Sequence, residues 1–520
     1  MKRTKNVLNN FLYGVIQKFV MMLGPFCVRT TLIYQLSSEI AGINDLFVSI
    51  LQILNLTELG LSNVIVYSMY KPIAENNTKS LCSLLNFYRK AYLYVGSIIF
   101  AIGICILPFV LYLFKDNNTQ NINVILVYLI FLINSSVSYL FWSYKTCLLT
   151  ANQRQDVISR NTTLVNLFLY ILQICALFLF KNYYFYITLL PLCTIIINFC
   201  NYKSASRMFP NISCKGKINR SEFSHIKKSL YGIIIWKIGY LSRNSFDNIV
   251  IGLYLSFSMI AIYSNYMLLV NAVTGFFGII ITSLLASIGN KIALNTEKDN
   301  YKDFCKFNLI YMIISSWVTL CLLCMIQPFM TLWMGQELLL SQSFVFLLCF
   351  LFFSFRTCDI NSAYYHASGL WYKGKYRSII EALLNLILNL TLGYYLGIIG
   401  IVLATIISYI CVWFYSSKLV FKYYFVNYPV KSFYIKNLCY LLITLLTCAI
   451  SYYVCNFLHI GNDKLHLIAE IFYRLLVCVF SLFILLFLYK QTSDSIDAFL
   501  FINSILKRVL LKKYHNKLQL

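Results

Sequence analysis

The residues of this chain that could do chemistry are charges set inside apolar runs. Lys18 and Arg29 share the first run, eleven residues apart. At about 100° per residue that spacing is three turns plus about 20°, so a helix projects both from one face. Lys237, Arg243 and Asp247 share a later run, with Arg243 and Asp247 at the i, i+4 spacing of a helical ion pair. A lysine or arginine at the centre of a bilayer costs about 2.5–3.5 kcal/mol on insertion scales, so one that persists there faces a wet cavity or carries a partner. Lys18, Arg29, Lys237 and Arg243 therefore form a candidate cationic lining for an anionic substrate. The bland readings are snorkelling of Arg29 and Lys237 towards headgroups and a structural Arg243–Asp247 pair.

Three acidic residues are candidates for ion coupling or for salt bridges. Glu58 sits in Asn55-Leu56-Thr57-Glu58-Leu59-Gly60, Asp247 follows Arg243, and Glu381 opens a late run. Desolvation lets a buried carboxylate exchange a proton near neutrality, which suits coupling to an ion gradient. Glu58 could equally be the partner of Lys18, and both readings stay open. Asp45 and Asp359, nearer the ends of their runs, are weaker candidates. Glu470 and Arg474, again i, i+4, read as local neutralisation.

No catalytic constellation accompanies these charges. There is no GxxxxGK[ST] phosphate loop and no HExxH, and the five histidines form no metal-type cluster, so no metal site and no cofactor are assigned. The 18 cysteines are scattered singly through apolar segments and read as reduced, buried thiols.

The elements that must hold these charges are membrane helices. Of 520 residues 60% are hydrophobic and 12% charged, against about 25% charged in soluble domains, and mean hydropathy is +0.72. Fourteen apolar runs fall near residues 8–35, 43–69, 91–114, 122–150, 161–180, 183–202, 229–255, 258–289, 304–327, 340–366, 378–396, 398–417, 434–457 and 466–489. They are too long for barrel strands, and only helices satisfy their own backbone in hydrocarbon. The net charge of +25 is spread in short clusters between the runs, a topological pattern rather than a nucleic-acid footprint. With fourteen spans, alternate connections and both termini collect 35 of the 43 lysines and arginines, which predicts that both ends are cytoplasmic.

Leu12-Tyr13-Gly14-Val15-Ile16 matches Leu230-Tyr231-Gly232-Ile233-Ile234, six runs later and so in the same orientation. That spacing predicts two parallel six-helix lobes, residues 1–203 and 229–418, joined by a basic linker over 204–228. Two appended helices fill 434–489, and a basic cytoplasmic tail follows over 490–520.

Arg29-Thr30-Thr31-Leu32-Ile33, Gly42-Ile43-Asn44-Asp45-Leu46-Phe47, Ile53-Leu54-Asn55-Leu56-Thr57-Glu58-Leu59-Gly60-Leu61 and Tyr67-Ser68-Met69-Tyr70-Lys71-Pro72 resemble the Wzx-type O-antigen and capsule repeat-unit flippases. These belong to the multidrug/oligosaccharidyl-lipid/polysaccharide (MOP) exporter superfamily. The resemblance is clearest over the first 95 residues. It implies an all-α, MATE-like integral membrane fold of about 14 transmembrane helices, with two lobes around a central cavity. It further implies a transporter of the bacterial inner membrane that moves an undecaprenyl-pyrophosphate-linked oligosaccharide between leaflets by alternating access, coupled to a proton or sodium gradient. A polysaccharide polymerase and chain-length proteins would be its partners. Rival readings are a lipid II-type flippase, a multidrug and toxin antiporter, for which an acidic cavity is expected, and a membrane glycan polymerase or transferase, which would want a large outer loop that is absent.

Overall fold

The computed structural model describes residues 2–55, 61–115, 122–220, 245–370, 376–457 and 464–492, with positions 223–224, 226–227, 230, 373–374, 496 and 500. Among them every extended element is a helix, and the chain divides into two compact units, Met1–Ser264 and Asn265–Leu520.

The first unit contains α1 (Lys2–Gln35), α2 (Ser38–Leu54), α3 (Leu61–Ala74), α4 (Thr78–Leu113), α5 (Val124–Leu140), α6 (Thr146–Ala151), α7 (Gln155–Phe180), α8 (Tyr183–Met208) and a helical segment, α9, over residues 245–254. It ends in the first residues of α10 (Phe257–Leu294). Short polar residues open several of these helices by accepting a hydrogen bond from an otherwise orphaned amide: Ser37 from Ile40, Asn77 from Ser80 and Asn123 from Leu126. α1 packs on α7, α5 on α4 and α8, and α7 on α8.

The second unit holds the rest of α10, then α11 (Glu297–Met334), α12 (Gln342–Ala367), α13 (Arg377–Tyr423), α14 (Val430–Phe457) and α15 (Lys464–Lys490). α11 is its centre, packed against α12, α14 and α15. Serine and threonine hydroxyls stitch it: Ser316 meets Thr444 and Tyr489 at 2.7 Å each. In a dry interior such pairs satisfy groups that have no water to turn to.

Among the described residues ten helices are long and apolar enough to cross a membrane, and Val124–Leu140 with Ser143–Ala151, bent by 47°, makes an eleventh when the pair is taken as one span. One of the ten is two spans. Within Arg377–Tyr423, Asn385 donates to Thr405 at 3.2 Å and to Ser408 at 3.4 Å. Those residues would lie about 30 Å or more apart on a straight helix, so the chain must reverse between them. The reversal is at Gly397, whose φ of 57° and ψ of −136° are non-helical. Only glycine takes such a conformation cheaply, and the turn separates the expected runs 378–396 and 398–417.

Other expected runs are broken. The stretch 43–69 holds α2 and α3 on either side of residues 56–60, which are outside the described residues, and 122–150 is interrupted at Phe141–Lys145, where Trp142 has φ 56°. Arg356, counted above with the basic connections although it falls within the bounds of the tenth run, lies inside α12 and is 7% exposed. Asp359 and Phe352 of the same helix, with Tyr311 of α11 and Phe277 of α10, surround it there. Residues 231–234 of the expected repeat, with Glu58, Lys237 and Arg243, lie outside the described residues.

Candidate functional site: charges inside the helical units

In the first unit, Arg29 on α1 and Asp45 on α2 form a two-pronged ion pair. Nη1 donates to Oδ1 at 2.9 Å and Nη2 to Oδ2 at 2.8 Å, with side chains 12% and 14% exposed. Nη2 also donates to the Ala261 carbonyl at 3.0 Å. The fork of a guanidinium matches a carboxylate in this way, and the geometry fixes α2 against α1. Gly42 makes the approach possible: a Cβ there would lie 1.7 Å from the Phe257 carbonyl oxygen. Asp45 is thus the acidic partner of Arg29, which sequence spacing ranked low because the pairing crosses a turn between helices.

Lys18 stands differently. It lies on α1, is exposed, and makes no ion pair among the described residues. Of the two cations expected on one face of α1, Arg29 is thus compensated by Asp45, and Lys18 has no ion-pair partner among the described residues. Asp247 on α9 is 4% exposed and accepts a hydrogen bond from Tyr263 at 2.7 Å. Its expected partner Arg243 is among the residues not described. α9 docks on α2 through Asn248, which donates to Ser49 at 2.9 Å, and Ser245, which donates to Gln52 at 3.3 Å.

In the second unit Glu381 is 3% exposed near the start of α13. Asn385 and Asn389, one and two turns further on, are fully buried, and Asn389 donates to Asn385 at 3.4 Å. With Thr405 and Ser408 from the returning arm, they make a polar seam inside the hairpin. Sequence reading found Glu381 and missed the amides, because an asparagine in a helix announces nothing until its partner arm is known.

α12 carries a further centre that spacing did not select. Arg356 Nη1 meets Asp359 Oδ2 at 3.0 Å, and the Tyr311 hydroxyl donates to the same oxygen at 2.5 Å. The guanidinium also lies over the Phe277 and Phe352 rings, at 5.2 and 5.3 Å. Glu470 and Arg474 pair as their spacing implies, at 2.7–2.8 Å. Arg474 additionally donates to the Cys324 carbonyl and Asn456, which ties α15 to α11 and α14.

The second unit also contains an apolar cavity of about 580 Å³, lined by Leu323, Phe346, Phe353, Leu445, Cys448 and Tyr452 among others. No group of three or more His, Cys, Asp or Glu side chains is placed to hold a metal ion among the described residues.

No protein-family model and no curated protein matches the chain. Solved structures do. A lipid II flippase, MurJ, in an inward closed conformation is 19% identical, with a TM-score of 0.62 over 91% of this chain and 98% of that one. An inward-facing multidrug resistance MATE family transporter of the MOP superfamily is 13% identical, with a TM-score of 0.59 over 78% and 94% of the two chains. The Vibrio cholerae MATE transporter VcmN is 14% identical, with a TM-score of 0.53 over 82% and 98%. This protein is a multi-pass, all-helical membrane protein with the fold shared by MurJ and the MATE transporters of the MOP superfamily.

Proposed function

We propose that the protein is a flippase for undecaprenyl-pyrophosphate-linked oligosaccharide repeat units, acting by alternating access during O-antigen or capsule synthesis. In this reading it sits in the bacterial inner membrane with both termini in the cytoplasm. The observation that carries it is the charge balance of the first unit on a flippase-like fold. Asp45 is engaged by Arg29 and Asp247 by Tyr263, while Lys18, on an apolar helix, has no ion-pair partner among the described residues. Such a balance favours a pyrophosphate over a cationic drug, since a buried anion needs a counter-charge that protein supplies more cheaply than lipid.

The Arg29–Asp45 fork supplies a coupling device. A pyrophosphate competes for the same guanidinium, and the released Asp45 carboxylate then takes a proton or a sodium ion. Glu381 within its asparagine seam, Asp247 and Glu58 are further positions for the coupling ion. The apolar cavity of the second unit has the lining to accept hydrocarbon of a lipid-linked substrate. A polymerase and chain-length proteins would act on the exported unit.

Lys18→Ala and Lys18→Arg test this in cells lacking the chain, with surface glycan as the readout. We expect Lys18→Ala to insert normally and lose at least about tenfold in export, the equivalent of one charge-assisted contact of about 1.5 kcal/mol, and Lys18→Arg to retain it. Wild-type export by Lys18→Ala refutes the cationic role. The likeness to a lipid II flippase favours one second reading, lipid II itself. Rescue of cells depleted of their lipid II flippase would select that reading over repeat-unit export.

A further inference from the structure

The break in the fourth apolar run gathers cations that the transport reading does not use. Beyond the end of α5, Trp142 adopts φ 56°, and the single turn Ser143–Lys145 follows before α6. A bulky residue in that region costs about 1–3 kcal/mol and persists only where its surroundings hold it. Here α8 holds it: the Trp142 ring meets Phe199 at 5.5 Å and Tyr202 at 6.3 Å.

The strained turn presents Tyr144 and Lys145 to α4 and α8. Arg89 of α4 lies over the Tyr144 ring at 5.8 Å, and Lys145 Nζ lies over the Tyr202 ring at 4.5 Å while donating to Ser206 at 2.7 Å. Cys214, in the linker, lies against both Tyr144 and Arg89. The linker is held there by Asn86, which donates to the Gly216 carbonyl at 2.8 Å. Neither Arg89 nor Lys145 has a carboxylate partner among the described residues. Lysine carries three donors and arginine five, so most remain unfilled.

Beside these cations, Phe141, Trp142 and Phe199 are exposed rings, at 45%, 36% and 44%. Exposed aromatic rings next to unpaired cations are what a membrane–water interface selects. An anion arriving there comes with hydrocarbon attached.

We propose that Arg89 and Lys145 bind the phosphate of an anionic phospholipid, whose first methylenes lie on Phe141 and Trp142. The lipid thereby clamps the broken fourth span between α4 and α8. This site lies within the first unit and is independent of the transported molecule.

Native mass spectrometry of the full chain in detergent tests it, with phosphatidylglycerol, phosphatidylcholine and inorganic phosphate as probes. Wild type should retain phosphatidylglycerol in preference to phosphatidylcholine. Arg89→Gln with Lys145→Gln should weaken phosphatidylglycerol binding about thirtyfold, from about 1 kcal/mol for each of two basic residues at the surface. Lys203→Gln with Arg207→Gln removes the same charge from exposed positions of α8 and should change binding by less than about threefold, since diffuse charge is screened. Equal losses in the two double variants, or no preference over phosphatidylcholine, would overturn the proposal. Displacement of the lipid by millimolar inorganic phosphate would assign the site to a soluble anion and also overturn it. Should the glutamine pair fail to fold, Arg89→Lys with Lys145→Arg keeps both charges and must keep the lipid; a folded protein of this kind without it refutes the assignment.

Discussion

Replacing Gly42 by alanine probes the joint that holds the Arg29–Asp45 pair. The added Cβ would lie 1.7 Å from the Phe257 carbonyl oxygen and 2.5 Å from its carbonyl carbon. A carbon–oxygen contact needs about 3.3 Å, so α2 and the start of α10 must part by about 1.6 Å. The obstacle is backbone, and no rotamer relieves it. Asp45 lies three residues on from Gly42, and Ala261, which accepts from Arg29, lies four on from Phe257. Parting the two strands of chain therefore pulls both partners from one guanidinium. Overpacking alone costs about 1–3 kcal/mol, and stranding one member of a buried ion pair costs about 3–5 kcal/mol. Gly42→Ala should thus destabilise by at least about 3 kcal/mol. Gly14→Ala is the control: it sits in α1, nothing lies within 4 Å of the added Cβ, and helix propensity favours it by up to about 1 kcal/mol. Thermal unfolding followed by size-exclusion chromatography of the detergent-solubilised protein reads the difference. Gly42→Ala should melt well below wild type and Gly14→Ala at or above it; equal melting of the two alanine variants would refute the reasoning.

Gly397→Ala should destabilise by about 1–3 kcal/mol, because an L side chain is strained at φ 57°, ψ −136°; an unchanged melting temperature would mean that the hairpin turns elsewhere. Glu470→Gln leaves Arg474 buried without its carboxylate and should cost about 3–5 kcal/mol, whereas Glu470→Leu with Arg474→Met should restore most of it. Equal stability of the single and double variants would count against a structural pair. Burial pushes the Cys214 thiol up, although Tyr144, Arg89 and Lys145 pull the other way. The reactive thiolate is then scarce at neutral pH, so alkylation of Cys214, followed by peptide mass spectrometry, should be slower than that of a free cysteine at pH 7 and rise about tenfold per pH unit above it. A rate equal to free cysteine's at pH 7 contradicts the burial.

Among the described residues twelve of the fourteen expected runs stand as membrane-length helices once the hairpin and the bent pair are counted, the other two running over undescribed positions, because hydropathy and helix length are local properties of the chain. The i, i+4 pair Glu470–Arg474 was legible for the same reason: a helix alone brings its members together. The pairings Arg29–Asp45 and Tyr311–Asp359 were not, since each joins two helices whose mutual rotation depends on packing.

Composition and periodicity by themselves determined a polytopic helical membrane protein, and the chain reversal near residue 397 was already marked by a gap between two runs. Only the tertiary structure decided which charges are spent. It compensated Arg29 through a partner on the next helix, buried Arg356 among an acid, a phenol and two rings, and left Lys18 unpaired among the described residues. The physical reason is that insertion into lipid is a sum over single residues, whereas the fate of a charge depends on where the neighbouring helices turn their polar groups.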